Sequence, residues 1–281
     1  MTVRDRLEAR RDHLTPSERR VAGVVLDDPE AVAFGTVAAL AKRAGTGGAT
    51  VLRLSERLGY EGFVGLQSAV RADLTGRLRL ASERIRQPAA HDDLAARTLT
   101  TELENLAATF EHVDRDALGR AVAALAGKRA RVVVLPGGAS VGVARQVSDE
   151  LALLRPGVAL VTGSPLAIAA RIADIRSNDV VVAIDLRRYD SSVLDAVELA
   201  VDAHATVIAI TDSVLSPLAS YADATLVVAA EGSGPFDSHL GVLGIGNALV
   251  AGVAAKLRQS ATERIDQIEA AWRSTGAVID S

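Results

Sequence analysis

The sequence predicts a protein of two parts, an all-α domain over residues 1 to 80 and a three-layer α/β domain over residues 128 to 281. Apolar residues recur at helical spacing in the first part, whereas after Lys128 five short apolar runs alternate with helical patterns. This alternation indicates a five-stranded parallel sheet covered by helices. The charge divides in the same way: residues 1 to 80 hold 13 Lys and Arg against 10 Asp and Glu, and the remainder holds 18 against 25. We therefore expect a basic module and an acidic module, joined by a linker and connecting helices over residues 81 to 127.

The composition limits the class of protein. A chain of 281 residues with 49% hydrophobic and 23% charged residues is typical of a folded, soluble protein. The absence of cysteine excludes disulfides and thiolate metal sites and fits a reducing compartment, while the five histidines lack ligand spacing. The charged amino terminus "MTVRDRLEARRD" is unlike a secretory signal. We expect a cytoplasmic protein with neither a metal centre nor a cofactor.

One late stretch, "LGVLGIGNALVAGVAAKL", is apolar enough to raise the question of a membrane span. Asn247 and four glycines interrupt it, and glycines on a helix allow a neighbouring element to approach closely. We expect a packed helix here and no membrane partner.

The first helices carry clear start signals. In "LTPSERRVAGVVL", Thr15 is the expected N-cap, Pro16 occupies the first helical position, and Glu18 completes a capping box. Asp28, followed by Pro29, is the expected N-cap of the next helical turn.

The stretch "TVAALAKRAGTGGATVLRLSERLGYEGF", residues 36 to 63, has the layout of a helix-turn-helix, because two short amphipathic helices flank the tight turn "GTGG". On the second helix Thr50, Arg53 and Arg57 follow one another at i, i+3 and i+7, beside the apolar stripe. Such a face reads the major groove and contacts phosphates, so we expect these three residues and Thr46 of the turn to bind DNA. An ordinary helical hairpin with solvated arginines fits the same periodicity and charge equally well.

In the second part, "RVVVLPGGASVGVARQVSDELALL" predicts a strand, a glycine turn and a helix. Gly137 and Gly138 permit a sharp turn, and Ser140 at the helix start offers a hydroxyl and amides to an anion. If the strand order is the common 2-1-3-4-5, this turn lies beside the end of the third strand, where ligands bind in open parallel sheets.

The third strand, "VVVAIDLRRYDSS", ends in an unusual concentration of charge. Asp185 would repel a phosphate, whereas Arg187 and Arg188 could clamp a phosphate or a carboxylate bidentately. An internal ion pair, with Asp185 or Asp190 neutralising an arginine, explains the same residues, and both interpretations stay open. Ser191 and Ser192 are the expected caps of the following helix, with Asp195 completing a capping box from Ser192.

Several of these segments together resemble a known family. The order "LTPSERRVA", "DDPE", "LAKRAG", "ATVLRL" and "LGYEGF", over about 70 residues, is similar to the amino-terminal domain of the ribose-phosphate-isomerase-repressor (RpiR) family of bacterial transcription regulators. The chain departs from that family at Gly47 and Gly48, where a serine and a polar residue usually open the recognition helix. Replacing a serine N-cap by glycine costs a few tenths of a kcal/mol, roughly, and removes a hydroxyl that could contact DNA.

Residues 128 to 258 resemble the sugar isomerase (SIS) domain that follows the helix-turn-helix in these regulators, through "LPGGAS", "VIAITDSVLSPLASYADATL" and "FDSHLGVLGIGNAL". The resemblance implies a ligand pocket near two loops. The residues that it implies there are Gly138, Ala139, Ser140, Thr211, Asp212 and Ser213. Domains of this kind cradle phosphate with a serine- and threonine-rich loop after the third strand, and this chain has Asp185, Arg187, Arg188 and Ser191 in that region instead.

The resemblance implies a DNA-binding transcription regulator, and not an enzyme, that binds a double-stranded operator and senses a small anionic metabolite, a sugar phosphate or a carboxylate. Two half-sites need two helix-turn-helix heads, so we expect a homo-oligomer, either a dimer or a tetramer. One alternative is an aldose–ketose sugar-phosphate isomerase, which needs a base such as Glu150, Glu231 or His239. A second alternative is a sugar sensor that does not bind DNA.

Overall fold

The computed structural model describes residues 3–10, 13–77, 81–86, 93–127, 129–214 and 216–277. The chain forms two compact units, Met1–Glu83 and Arg84–Ser281, and each is described by itself. Pro88, which the sequence predicts as a helix breaker in the linker, lies outside the described residues.

In the described residues of the first unit, helices are the only regular secondary structure, and turns and short loops connect them. Its helices are α1 (Val3–Glu8), α2 (Pro16–Asp27), α3 (Pro29–Ala33), α4 (Val37–Arg43), α5 (Gly48–Arg57) and α6 (Gly62–Arg77); α7 (Ala81–Arg86) follows at the division between the units. The predicted capping box is confirmed, since Glu18 N donates to Thr15 Oγ1 at 3.3 Å and Thr15 N donates to Glu18 Oε2 at 2.8 Å. Asp28 Oδ1 likewise accepts from Ala31 N at the start of α3.

Helix α5 lies at the centre of the helical unit, packed against α2, α4 and α6. Val51, Leu54 and Leu58 on its inner face are fully buried, as the apolar stripe of the sequence predicted. They share one core with Val21 of α2 and Leu66 of α6. The orientation of α5 is therefore fixed by packing on three sides.

The second unit is a three-layer α/β fold. Its elements are α8 (Leu94–His112), α9 (Arg115–Leu125), β1 (Val132–Pro136), α10 (Val141–Leu154), β2 (Val158–Leu160), α11 (Pro165–Ile172), β3 (Val180–Ile184), α12 (Ser191–Asp202), β4 (Thr206–Thr211), β5 (Ala224–Val227) and α13 (Leu240–Thr275). The strands run parallel in the order β2-β1-β3-β4-β5, with Val132 opposite Val180 in the register of β1 and β3. The predicted fold class and strand order are confirmed.

The two faces of the sheet belong to different cores. Val134 and Val182 point into a core shared with α9, α10 and α13, and Val133 and Val181 point into another shared with α11 and α12. Because alternate side chains of a strand point to opposite faces, covering both faces requires the continuous apolar runs seen in the sequence.

Helix α13 is by length and composition apolar enough to cross a membrane. In the structure, Ile245 and Leu249 are fully buried in the core of the α/β unit, and α13 packs on α10. A Cβ at Gly246 would lie 2.5 Å from Val147 of α10, so the glycine permits this approach. The helix is packed, as its interrupted apolar pattern predicted.

Candidate functional site

Helices α4 and α5 form the predicted helix-turn-helix pair. The turn between them contains Gly45 in the left-handed region, at φ 59°, and α5 begins after Gly47 without a side-chain cap. Beyond the turn, Arg53 is exposed and its Nε donates to Ala49 O at 3.2 Å, while Thr50 is half-buried. Arg53 and Arg57 are both exposed, and within the described residues the only side-chain hydrogen bond of Arg53 is this bond within its own helix.

Arg57 is bound to the start of α2. Its Nη1 donates to His13 O at 2.6 Å, and its Nε lies 3.4 Å from Glu18 Oε1. Burial alone would raise the pKa of Glu18, but hydrogen bonds from Thr15 and the charges of Arg57 and Arg53 bring this pKa below its usual value. The guanidinium of Arg57 therefore joins the end of α5 to the capping box of α2.

Thr46, the remaining predicted DNA contact, lies in the turn. Its amide donates to Ala41 O at 2.9 Å, whereas its Oγ1 is buried and has no hydrogen-bond partner among the described residues. In this conformation the hydroxyl is not exposed to solvent.

In the α/β unit, the carboxyl ends of β1 and β3 lie side by side, while the helices that follow them, α10 and α12, cover opposite faces of the sheet. Such a change of direction opens a crevice beyond the strands. Gly137 N donates to Ile184 O across the two strand ends at 2.9 Å. A Cβ at Gly137 would lie only 2.1 Å from Asp185 Oδ1, so a glycine is required there.

The first loop of this crevice leads into α10. Gly138 and Ala139 are exposed at its rim, whereas Ser140 is fully buried. Ser140 Oγ lies 3.2 Å from Nε2 of His239, the residue that precedes α13. The fold thus brings the predicted loop residues together with a histidine that lies 99 residues later in the sequence.

Asp185 is the buried carboxylate of the crevice, with 5% of its surface exposed. Its Oδ2 accepts a hydrogen bond from Asp190 N at 2.6 Å. Burial raises the pKa of Asp185 to about 6, and the neighbouring charges of Asp190 and Asp212 act in the same direction. This aspartate therefore changes charge near pH 6.

Arg187 is held in an internal ion pair. Its Nε donates to Asp237 Oδ2 at 2.9 Å, its Nη2 lies 2.7 Å from Asp237 Oδ1, and only 9% of its side chain is exposed. Glu231 Oε2 lies 3.5 Å from the same Nη2, and Arg84 adds a second guanidinium at 2.9 Å from Asp237. The carboxylates that we expected in such a pair were Asp185 and Asp190, whereas Arg187 pairs with Asp237, which lies on the segment before α13.

The remaining predicted residues lie around Tyr189. Its hydroxyl donates to Asp212 Oδ1 at 2.9 Å, and burial, followed by the charge of Asp212, raises the pKa of Tyr189 to about 12. Thr211 Oγ1 is buried near this hydroxyl and makes no hydrogen bond of regular geometry within the described part of the chain. Ser213 is half-buried, and Arg188 is exposed with its backbone in the left-handed region at φ 69°.

The helix that follows the third strand is capped by an aspartate. Asp190 Oδ1 accepts from Ser192 N at 2.9 Å and from Ser192 Oγ at 2.7 Å, and Ser191 is the exposed first residue of α12. The predicted capping by Ser191 and Ser192, with a box to Asp195, was wrong. Aspartate and serine are comparably good N-caps, so a shift of one residue is not resolved by composition.

The three residues considered as isomerase bases differ in position. Glu150 lies on α10 about 13 Å along the axis from its start and accepts from Gln146 at 3.0 Å. Glu231 is 69% exposed at its side chain and faces Arg187, while His239 contacts Ser140. The structure brings only His239 and Glu231 toward the crevice.

Two protein-family models match the chain. Residues 1–76 match a helix-turn-helix domain described as of the rpiR family, and residues 124–250 match the SIS domain. The uncharacterized HTH-type transcriptional regulator YbbH of Bacillus subtilis is 27% identical over 277 residues, which cover 95% of this chain and 96% of that protein.

The bifunctional protein glk of Paraburkholderia xenovorans is 29% identical over 225 residues, which cover 80% of this chain. The match covers 35% of that protein, so the chain spans about a third of its length.

Solved structures resemble both parts. The sugar isomerase domain of an RpiR transcription factor from Sphaerobacter thermophilus covers 63% of this chain and 98% of its own, with 28% identity and a TM-score of 0.58. The NanR protein of Vibrio vulnificus, complexed with ManNAc-6P, covers 98% of this chain and 99% of its own, with a TM-score of 0.59. At 22% identity, the likeness to NanR shows the fold alone.

Proposed function

Because the chain belongs to the RpiR family of helix-turn-helix proteins with a SIS domain, we propose that it is a transcription regulator that binds operator DNA through α5 and a sugar-derived effector at the ends of β1 and β3. The observation that carries the proposal is the presence of both modules in one chain, 95% of which matches 96% of the regulator YbbH. We further propose that the protein acts in the cytoplasm as a homodimer or homotetramer, because two half-sites require two heads.

We propose that Arg53 contributes more to the affinity for DNA than the other predicted contacts. It is exposed on α5, whereas Arg57 is engaged by Glu18 and His13 and Thr46 has a buried hydroxyl. Thr50 remains a second candidate one turn before Arg53 on the same helix. A guanidinium here contacts either a guanine edge or a phosphate.

The experiment is selection of duplexes from a random DNA pool with the full chain, followed by affinity measurement at two salt concentrations. We expect an inverted repeat, an affinity that falls steeply with salt, and at least a tenfold loss in Arg53→Ala. Arg258→Ala, which removes an exposed arginine from α13, is the matched control. Failure to enrich any duplex, with or without sugars and their phosphates present, would reject the regulator.

The isomerase has less support than the regulator. Its chemistry needs a base beside the substrate carbon. Glu150 is distant from the crevice along α10, and Glu231 is largely exposed and paired with Arg187. The solved RpiR transcription factor and the regulator YbbH favour a sensor without turnover, and assay of aldose–ketose phosphate interconversion tests this directly.

A further inference from the structure

We propose that the crevice binds a non-phosphorylated polyhydroxy compound, a free sugar or polyol, and rejects its phosphate ester, because carboxylates of the protein already occupy the donors at the start of α12 and the guanidinium of Arg187. This inference rests on the proposed function, since it names the ligand class of the same site. It also revises the expectation of an anionic effector that the arginines of this loop suggested.

The start of α12 is the first part of the argument. A helix amino terminus beside a strand end ordinarily offers free amides to an anion. Here Asp190 N donates to Asp185 Oδ2 at 2.6 Å, and Ser192 donates through both its amide and its hydroxyl to Asp190 Oδ1. Val193 N bonds to Asp190 O at 3.1 Å. Two internal carboxylates thus hold the position that a phosphate would take at this helix.

The arginine of the loop is the second part. Arg187 meets Asp237 with two parallel contacts of 2.9 and 2.7 Å and has Glu231 at 3.5 Å. A guanidinium satisfied bidentately by one carboxylate cannot give the same fork to a phosphate. Arg84 also binds Asp237, so the neutralisation of Arg187 is part of a partly buried network of charges.

The charge of the crevice is the third part. Asp185 packs against Gly137 at the β1 turn and also binds the start of α12, so its charge acts at both loops. Its pKa of about 6 means that it is mostly ionised at pH 7, beside Asp190 and Asp212. Arg188, the residue after Arg187, is exposed at the rim of this loop. A dianionic ester therefore meets carboxylates at the centre of the site and an arginine only at its edge.

Hydrogen-bond chemistry indicates what does fit. An ionised carboxylate only accepts hydrogen bonds, as does a phosphate dianion, whereas a sugar hydroxyl both donates and accepts. Asp212, Ser213 and the exposed Gly138–Ala139 edge provide acceptors and donors around the crevice, and Thr211 has a hydroxyl without a regular partner among the described residues. A ligand rich in hydroxyls satisfies this mixture.

The test uses thermal unfolding of the full chain with matched pairs: aldoses, ketoses, amino sugars and alditols, each beside its terminal phosphate ester, together with inorganic phosphate. We expect at least one free compound to raise Tm and to bind at least tenfold more tightly than its own ester, and inorganic phosphate to leave Tm unchanged. An ester that binds as tightly as its free partner, or protection by inorganic phosphate, overturns the inference. A panel in which neither member of any pair shifts Tm overturns the assignment as well.

Two variants test the cause. Asp185→Asn/Asp190→Ser keeps an N-cap and an acceptor while removing both charges, and we expect inorganic phosphate and the esters to bind at least tenfold more tightly than in the native chain. Asp190→Ser alone makes the smaller perturbation and is expected to give part of this gain if the double variant does not fold. Asp202→Asn removes the same charge from the exposed far end of α12 and should gain nothing. Folded variants without a gain in phosphate binding contradict the inference.

The outcomes separate this inference from the proposed function. If an operator is selected but esters bind more tightly than free sugars, the regulator stands and the ligand class is wrong. If a free sugar binds preferentially while no duplex is selected, the ligand class stands and the DNA-binding function fails.

Discussion

Arg188 lies in a backbone conformation that suits glycine, at φ 69°, between the ion-paired Arg187 and the half-buried Tyr189. A side chain in the left-handed region costs about 1 kcal/mol. We expect Arg188→Gly to be more stable than Arg188→Ala by about this amount, because both lose the guanidinium and only glycine relieves the backbone. Trp272 is the single tryptophan and lies on α13. Urea unfolding followed by its fluorescence measures the free energy of unfolding of the α/β unit. Equal stability of the two variants would mean that the loop relaxes without strain.

Asp185 gives the α/β unit a defined pH dependence. Its pKa in the folded protein, about 6, exceeds the ordinary value of 3.8, so the folded state holds this proton more tightly than the unfolded chain. The free energy of unfolding of the native chain should therefore fall relative to that of Asp185→Asn as pH rises from about 4 through 6. The whole change is about 3 kcal/mol, and about half of it occurs between pH 5 and 8.

Paired unfolding curves of the native chain and Asp185→Asn at pH 5 and pH 8 check this dependence. Asp223→Asn is not a suitable control, because Asp223 Oδ2 accepts from Val207 N in the sheet. Asp202→Asn is suitable, since Asp202 is exposed at the end of α12. A difference between native chain and Asp185→Asn that does not vary with pH contradicts the assignment.

The sequence predicted where these residues lie on their own elements, but it did not predict their partners from distant parts of the chain. The position of Asp185 at the end of a buried strand followed from its apolar run, because strand burial is local information. The pairing of Arg187 with Asp237 did not, because 50 residues separate them and only the folded sheet brings the two loops together. The sequence also did not predict that the hydroxyl of Thr46 is buried, because its burial depends on how the turn packs.

At the scale of elements, capping residues and apolar runs were sufficient to predict helices and strands, because each of these local patterns has one structural role. The capping box at Thr15 and Glu18 predicted the start of α2, and the apolar runs predicted the five strands and both covering layers, whereas the strand order was expected from the common 2-1-3-4-5 arrangement. Arg57 was predicted from its spacing to bind DNA, and that spacing did not predict the contact by which Arg57 joins α5 to this capping box. Helical spacing identifies a face but does not identify the neighbours that cross it.

The link between α5 and α2 carries a prediction about the helical unit. We expect Arg57→Ala to lower its stability by about 1 kcal/mol, since Glu18 is nearly buried while Arg57 is partly exposed and screened by solvent. Hydrogen exchange should quicken at the first turn of α2 and the last turn of α5 in this variant. Arg53→Ala, a neighbouring arginine on the same helix, should leave exchange unchanged and weaken operator binding instead. Identical behaviour of the two variants would show that Arg57 has no separate structural role.

At the scale of the whole molecule, one chain joins a helical unit with a candidate DNA face to an α/β unit with a candidate effector crevice. An effector can change operator affinity only by as much as its affinity differs between the DNA-binding and non-binding states. A coupling of 1 to 3 kcal/mol is typical of allosteric proteins, which corresponds to roughly 5- to 150-fold in affinity.

This coupling must be reciprocal if the two sites communicate. Once an effector and an operator are identified, the factor by which the effector changes operator affinity should equal the factor by which saturating operator changes effector affinity, in size and in direction. Fluorescence anisotropy of a labelled duplex gives the first factor, and calorimetric titration of the effector with and without the duplex gives the second. Arg53→Ala serves as the control, because it should weaken DNA binding while effector affinity in the absence of DNA stays native. Two unequal factors would mean that the ligand acts through a further equilibrium, such as a change of oligomeric state, because a closed thermodynamic cycle between two sites permits only one coupling constant.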